Sequence, residues 1–167
     1  MRVLGIDPGT RIVGYGLVEP QGCRIIAVGF GAIRAPVSAP YAERLLRIRD
    51  EIIRVIRQEK PDAVAIEEAF YGKSASAALR MGEGRGVALA AVAQTSRPLY
   101  QYTPAEVKKA VVGNGRAHKS QVQEMVRMIL GLREAPEPED AADALAVAIC
   151  HCNRAQMLGH APISKSY

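Results

Sequence analysis

The stretch Val3-Leu4-Gly5-Ile6-Asp7-Pro8-Gly9-Thr10 decides how the rest of the chain is read. An apolar segment runs to a single aspartate, and a turn follows at once. Pro8 and Gly9 do not extend a central strand, so Asp7 belongs at a strand's end. A carboxylate at the lip of a buried strand is costly unless a cation or hydrogen-bond donors compensate it. Asp7 therefore needs partners, and they must come from elsewhere in the chain.

Outward from this stretch, residues 2–7 predict a first strand. Residues 12–18 predict a second, in which Val13, Tyr15 and Leu17 alternate with Gly14 and Gly16. Gln21-Gly22 marks a turn, and residues 23–33, rich in Ile and Val, predict a third strand. Short turns between the three make them antiparallel neighbours. The period then changes. Between residues 39 and 59, Leu45, Leu46, Ile48, Ile52, Ile53, Val55 and Ile56 recur at helical spacing,. Ser38 is the expected N-cap, with Pro40 at N1 or N2. Lys60-Pro61-Asp62 stops this helix. Ala63-Val64-Ala65-Ile66 is a short strand, apolar on both faces as a central parallel strand is, and it ends in Glu67-Glu68,.

Residues 72–75 predict a loop, and residues 76–94 a helix built mostly of alanine and glycine. Residues 99–102 predict a further strand. Thr103, Pro104 and Glu106 open a helix as N-cap, N1 and N3, and Gly113 closes it before an Asn114-Gly115 turn,. Further helices are expected over residues 119–130 and 139–153, the last introduced by Pro136 and Pro138. This order predicts an α/β layer structure: a mixed five-stranded sheet, three antiparallel strands then two parallel ones, flanked by helices. Residues 1–153 make one domain, and residues 154–167, which lack periodicity, are expected to be a mobile tail.

Composition narrows the class. The chain has 167 residues, 49% hydrophobic and 23% charged, a globular rather than a disordered profile,. No apolar run reaches membrane-spanning length, and Asp7 cuts the first one too short for a signal peptide. A formal charge of +5 permits an anionic partner such as nucleic acid without requiring one,. Cys23, Cys150 and Cys152 form an odd set without framework spacing, which points to a reducing compartment and so to the cytoplasm,. Cys150-His151-Cys152 does not read as a zinc site, because neighbouring ligands diverge on a helix and no second pair follows. Free thiols near a helix end are expected instead.

Two strand ends carry acid: Asp7, and either Glu67 or Glu68. If the first and fourth strands are neighbours, these acids face each other across one strand spacing, where α/β sheets gather their sites. The last helix adds Glu139, Asp140 and Asp143. Asp140 and Asp143 share a helical face amid alanine, leucine and valine,. Singly, Asp140 suits a helix N-terminus and Glu68 a surface position. Asp7 and Asp143 each interrupt an apolar pattern. Converging carboxylates repel and raise one another's pKa, and hard divalent cations relieve this. Magnesium or manganese accept such oxygen ligands, and a pair of ions can bridge a scissile phosphate while activating the attacking water.

These residues resemble a known family. Gly5-Ile6-Asp7-Pro8-Gly9, Ile66-Glu67-Glu68-Ala69-Phe70, the helix from Ala78-Leu79 to Arg85-Gly86, the run Val107-Lys108 through Val112-Gly113 to Lys119-Ser120-Gln121, and Asp140-Ala141-Ala142-Asp143-Ala144 are together similar to the RuvC Holliday-junction endonucleases. The likeness runs in order from Arg2 to about Cys152. It implies an RNase H-like fold, a homodimer, and magnesium-dependent, paired symmetrical nicking of four-way DNA in recombination and repair, with two ions per site and manganese as a substitute. It also implies that Asp7, Glu67, Asp140 and Asp143 are the metal-binding catalytic acids. Glu67 rather than Glu68 follows from the family motif, and Glu139 lies outside the motif and receives no role.

The resemblance further implies that Phe70, with Tyr71 sharing or replacing it, acts on bases at the crossover, as exposed aromatics do with unstacked DNA. Between residues 108 and 133 basic residues outnumber acids. Lys108, Arg116 and Lys119 are candidates for phosphate contacts, with Lys119 nearest the scissile phosphate,. The small-residue helix resembles the family's dimer contact; packing on the sheet is its other use. RuvA and RuvB, the branch-migration proteins, are implied partners. Three other readings are weaker. An actin-like ATPase phosphate loop would need a second such loop and a longer chain. A junction binder without nuclease activity would gain nothing from four acids aimed at phosphate. The shorter RuvC-like resolvases differ in carboxylate set and basic helix.

Overall fold

Alternation along the first strand sends Leu4 and Ile6 to one side of a sheet and Val3, Gly5 and Asp7 to the other,. The two sides are covered in different ways. The computed structural model describes residues 1–68 and 75–157. In chain order its elements are β1 (Val3–Asp7), β2 (Ile12–Gln21), β3 (Arg24–Arg34), α1 (Tyr41–Glu59), β4 (Ala63–Glu67), α2 (Ala75–Ala93), β5 (Leu99–Tyr102), α3 (Pro104–Val112), α4 (Lys119–Ile129) and α5 (Glu139–Met157). The five strands lie in the order β3-β2-β1-β4-β5. β1 and β3 flank β2 antiparallel, whereas β4 runs parallel to both β1 and β5. This is the expected mixed sheet.

On one side, Leu4, Ile6, Val13, Leu17, Val64 and Ile66 pack against Ile48, Ile52 and Ile56 of α1 and Ala88, Ala91 and Val92 of α2. On the other, Val3, Val18, Ala65 and Tyr102 meet Leu145 and Ile149 of α5, with Val107 and Val111 of α3 and Val122 and Val126 of α4 in the same core. Here α5 approaches very closely. Gly5 pairs with Gly16, and Asp7 with Gly14, across the β1–β2 ladder. A Cβ on Gly5 would stand 1.9 Å from the Ala144 carbonyl oxygen, and one on Gly14 would stand 1.9 Å from that of Asp140. One on Gly16 would come within 2.6 Å of Leu145 Cγ. Only glycine fits, so the helix backbone rests directly on the sheet.

Two local expectations are corrected. Pro40, not Ser38, is the N-cap of α1, with φ −51° and ψ 148° and no side-chain cap. Proline disfavours helical geometry in the residue before it, and the Ala39 N–H donates to the Pro36 carbonyl at 3.1 Å, so the helix begins only at Tyr41,. α5 continues to Met157, past the expected end at 153. Polar contacts hold its last turns: Asn153 Nδ2 donates to the Ala110 carbonyl at 3.1 Å and Arg154 Nη1 to Glu106 Oε1 at 2.6 Å. Residues 158–167, the rest of the expected tail, lie outside the described residues, as does the 72–74 part of the expected loop. Cys150 and Cys152 are free thiols toward the end of α5, as expected, and burial pushes both up to about 12. The cap of α3 is as expected: Thr103 Oγ1 accepts from the Glu106 N–H at 3.2 Å, and Glu106 Oε2 accepts from the Thr103 N–H at 2.9 Å.

Candidate active site

Parallel pairing of β1 with β4, Gly5 beside Ala65 and Ile6 beside Ile66, brings the ends of both strands side by side. Asp7 and Glu67 are the next residues along. Each follows by two a residue on the α5 side, Gly5 and Ala65, so both carboxylates face α5,. This geometry separates Glu67 from Glu68. Glu68 lies past the strand, and its N–H donates to the Tyr102 carbonyl at 2.7 Å. The α5 backbone at Asp140 rests against Gly14, the pairing partner of Asp7, and Asp143 follows one turn later. The glycine stripe thus places the first turn of α5 beside Asp7.

The electrostatics reflect this crowding. Asp7 is pushed up to about 8, first by burial and then by Asp143, Glu67 and Asp140. Glu67 is pushed up to about 7, again by burial first and then by Asp143, with Lys108 and Lys119 pulling the other way. Asp143 is also raised by burial, against the pull of Lys119. The Lys119 ammonium stands 2.9 Å from Asp143 Oδ2 and 3.1 Å from Glu139 Oε2. Burial lowers its pKa, but hydrogen bonds to those two carboxylates outweigh burial and hold it above the usual lysine range. A cleft of about 220 Å³ has Glu67, Asp143, Lys108 and Lys119 around it and Val107 and Val122 in its wall.

Among the described residues no three His, Cys, Asp or Glu side chains converge closely enough to cage an ion. Among the described residues Lys119 is the cation paired with Asp143 and Glu139, and Lys108 stands near Glu67. The donors are nonetheless all carboxylate oxygen, and Asp7, Glu67 and Asp143 carry raised pKa values that added positive charge would lower,. Donor chemistry and charge therefore fit a hard divalent cation.

Of the expected phosphate-contact residues, Lys108 and Lys119 line the cleft. Arg116 is exposed in the turn between α3 and α4, where its N–H donates to Asn114 Oδ1 at 3.0 Å. Phe70 and Tyr71 lie outside the described residues. Two features escape the sequence reading. Glu139 joins Asp143 on Lys119, a contact that their four-residue helical spacing allows,. His151, 5% exposed, meets the Tyr102 hydroxyl, a pairing between residues far apart in the chain that no local pattern announces.

Comparison with known proteins bears on the family and the fold. The family model described as "Crossover junction endodeoxyribonuclease RuvC" matches residues 3–151. A protein of that name from Desulfitobacterium hafniense is 49% identical over 158 residues, covering 95% of this chain and 96% of its own. The Thermus thermophilus RuvC structure superposes with a TM-score of 0.85 at 39% identity, covering 94% of this chain and 96% of that one. T. thermophilus RuvC in complex with Holliday junction substrate gives 0.84 at 36% identity, with the same coverage. Matched in sequence and in fold along nearly its whole length, the chain belongs to the RuvC family of crossover junction endodeoxyribonucleases.

Proposed function

We propose that this endonuclease resolves four-way DNA junctions at the cleft beside Asp7, with Asp7, Glu67, Asp140 and Asp143 as the acids that hold its divalent cations. The observation that carries the reading is the set of buried carboxylates at the ends of β1 and β4, raised in pKa by burial and by one another, with two lysines at the same cleft. Magnesium is the proposed ion, two per site, with manganese as a substitute. Bound there, such cations supply Lewis-acid polarisation of the scissile phosphate and acidify the attacking water.

The chain's own residues do the rest. Asp7 and Glu67 must lose their protons to serve as ligands, so the magnesium needed for half-maximal activity falls as pH climbs toward their raised values of about 8 and 7,. Lys119 exchanges its carboxylate partners for a phosphate oxygen, neutralising charge that builds in the transition state. Lys108 and Arg116 hold flanking phosphates, with an affinity that falls as salt rises. Phe70 and Tyr71 act on bases at the crossover.

A two-fold dimer suits a substrate with two equivalent cuts. Its proposed contact is α2, where Leu79 and Met81 are 67% and 45% exposed and a Cβ on Gly82 or Gly86 would meet nothing within 4 Å. RuvA and RuvB are proposed partners on the family likeness, and the cytoplasm is the proposed compartment. None of the described helices is long and apolar enough to cross a membrane.

The test is a cleavage assay on a synthetic four-way junction beside a linear duplex, with and without magnesium. Paired symmetrical nicks on the junction alone, dependent on magnesium, are expected. Equal cutting of linear duplex, or cutting that persists after chelation, overturns the reading.

A further inference from the structure

Tyr102 and His151, each 5% exposed, are a buried, hydrogen-bonded titratable pair that the mechanism leaves unused. Tyr102 Oη lies 2.7 Å from His151 Nδ1 inside the core that joins β5 to α5. The Tyr100 ring packs on the same imidazole at 4.3 Å between centroids. Burial pushes His151 down to about 4, so at neutral pH the ring is uncharged. Burial also holds the Tyr102 phenol above its ordinary range, so it keeps its proton. A protonated hydroxyl and a neutral imidazole share one hydrogen bond, whose direction the imidazole tautomer sets,.

The position of this bond gives it meaning. Tyr102 is the residue paired with Glu67 across the β4–β5 ladder, and its carbonyl accepts the Glu68 N–H at 2.7 Å. His151 lies on α5 eight residues after Asp143, roughly 12 Å along the helix axis,. The bond thus ties the strand pair that carries Glu67 to the helix that carries Asp143. On the β1–β2 side no such tie is needed, since the α5 backbone sits hard on Gly5 and Gly14. On the β4–β5 side the sheet presents Ala65 to α5, and contact there is sparser. Close packing sets one flank of the helix, and a directional hydrogen bond sets the other.

We infer that the Tyr102–His151 hydrogen bond is a positioning device that holds the Glu67 end of β4 against α5, so that Glu67 and Asp143 can share one cation. It rests on the metal-ligand reading of Glu67 and Asp143 given above. Neither Tyr102 nor His151 touches substrate; both act through those carboxylates.

The test cuts the bond from either end in the full-length protein, by Tyr102→Phe and by His151→Leu, so failure of one variant to fold leaves the other. His151→Asn keeps an amide able to hydrogen-bond near the position of Nδ1. Two quantities are read besides the thermal midpoint: the magnesium concentration giving half-maximal junction cleavage, and the rise in melting temperature produced by calcium alone. Loss of the bond is expected to raise half-saturating magnesium about tenfold, the lower end of the cost of losing an outer partner of a metal ligand. The calcium-induced rise should shrink in step, while junction affinity in chelator stays at the parental value. His151→Asn should restore most of both readouts. A lowered melting temperature with unchanged magnesium and calcium responses would make the pair purely structural and overturn the inference, as would His151→Asn behaving like His151→Leu. A parental protein indifferent to magnesium would instead overturn the metal site itself.

Discussion

The two faces of the sheet are packed by opposite means. On the α1–α2 face, branched side chains such as Ile48, Ile52 and Ile56 fill the space between layers. On the α5 face, Gly5, Gly14 and Gly16 withdraw their side chains and the helix backbone fills the space. The first is a core that trades one methyl group for another at moderate cost. The second tolerates no added atom, and it is the one that sets carboxylates from a strand and a helix side by side. Both faces bury apolar side chains, whereas the contacts of helix backbone with strand glycines are found on the second.

The largest effect belongs at the crowded face. Asp7→Asn should bring magnesium-dependent cleavage to background while gel-shift affinity for the junction survives; normal turnover would remove Asp7 from the metal site. Next come matched packing changes. Gly14→Ala should cost about 3 kcal/mol, the upper end for overpacking, and should lose cleavage even well below its melting temperature. Ile52→Ala should cost a similar amount, about 2–5 kcal/mol, yet cut normally while folded. Chemical denaturation and single-turnover cleavage, measured side by side, test the contrast, and equal losses of cleavage would erase it.

Lys119→Ala should slow cleavage much more than it weakens binding, with stability little changed because its ion pairs are partly exposed,. Cleavage at the parental rate would leave Lys119 as surface charge only. The smallest effect is thermodynamic. Asp7 and Glu67 hold protons more tightly folded than unfolded, about 8 against 3.8 and about 7 against 4.5. Between those limits the folded state carries more protons, so in chelator stability should fall as pH rises from about 4 toward 8. Melting curves across that range should show the decline, and Asp7→Asn should flatten it.

What the sequence discloses follows the same division. The α1–α2 face is legible because its residues repeat: Ile48, Ile52 and Ile56 announce a helix, and Ala63-Val64-Ala65-Ile66 announces a buried strand. The start of α1 is harder to read, since Ser38 has capping chemistry but Pro40 bars the geometry it needs. Alternation leaves Glu67 and Glu68 open as long as the facing layers are unknown; Ala65 against the α5 core separates them. Gly14 and Gly16 alternate visibly, but which helix they admit depends on residues more than a hundred positions away. The Tyr102–His151 pair and the Glu139–Lys119 contact join residues that no local spacing connects.

Glu106 has a further consequence. One of its oxygens accepts from Thr103 at the start of α3, and the other accepts from Arg154 on α5. Burial would raise its pKa, but these hydrogen bonds hold it down to about 2. The first turn of α3 and the last turns of α5 therefore form one unit of local opening, and their amides should exchange with solvent at a common rate. A truncation before Arg154 would remove this anchor and loosen the start of α3, so the end of α5 sets how firmly α3 is held at its first turn.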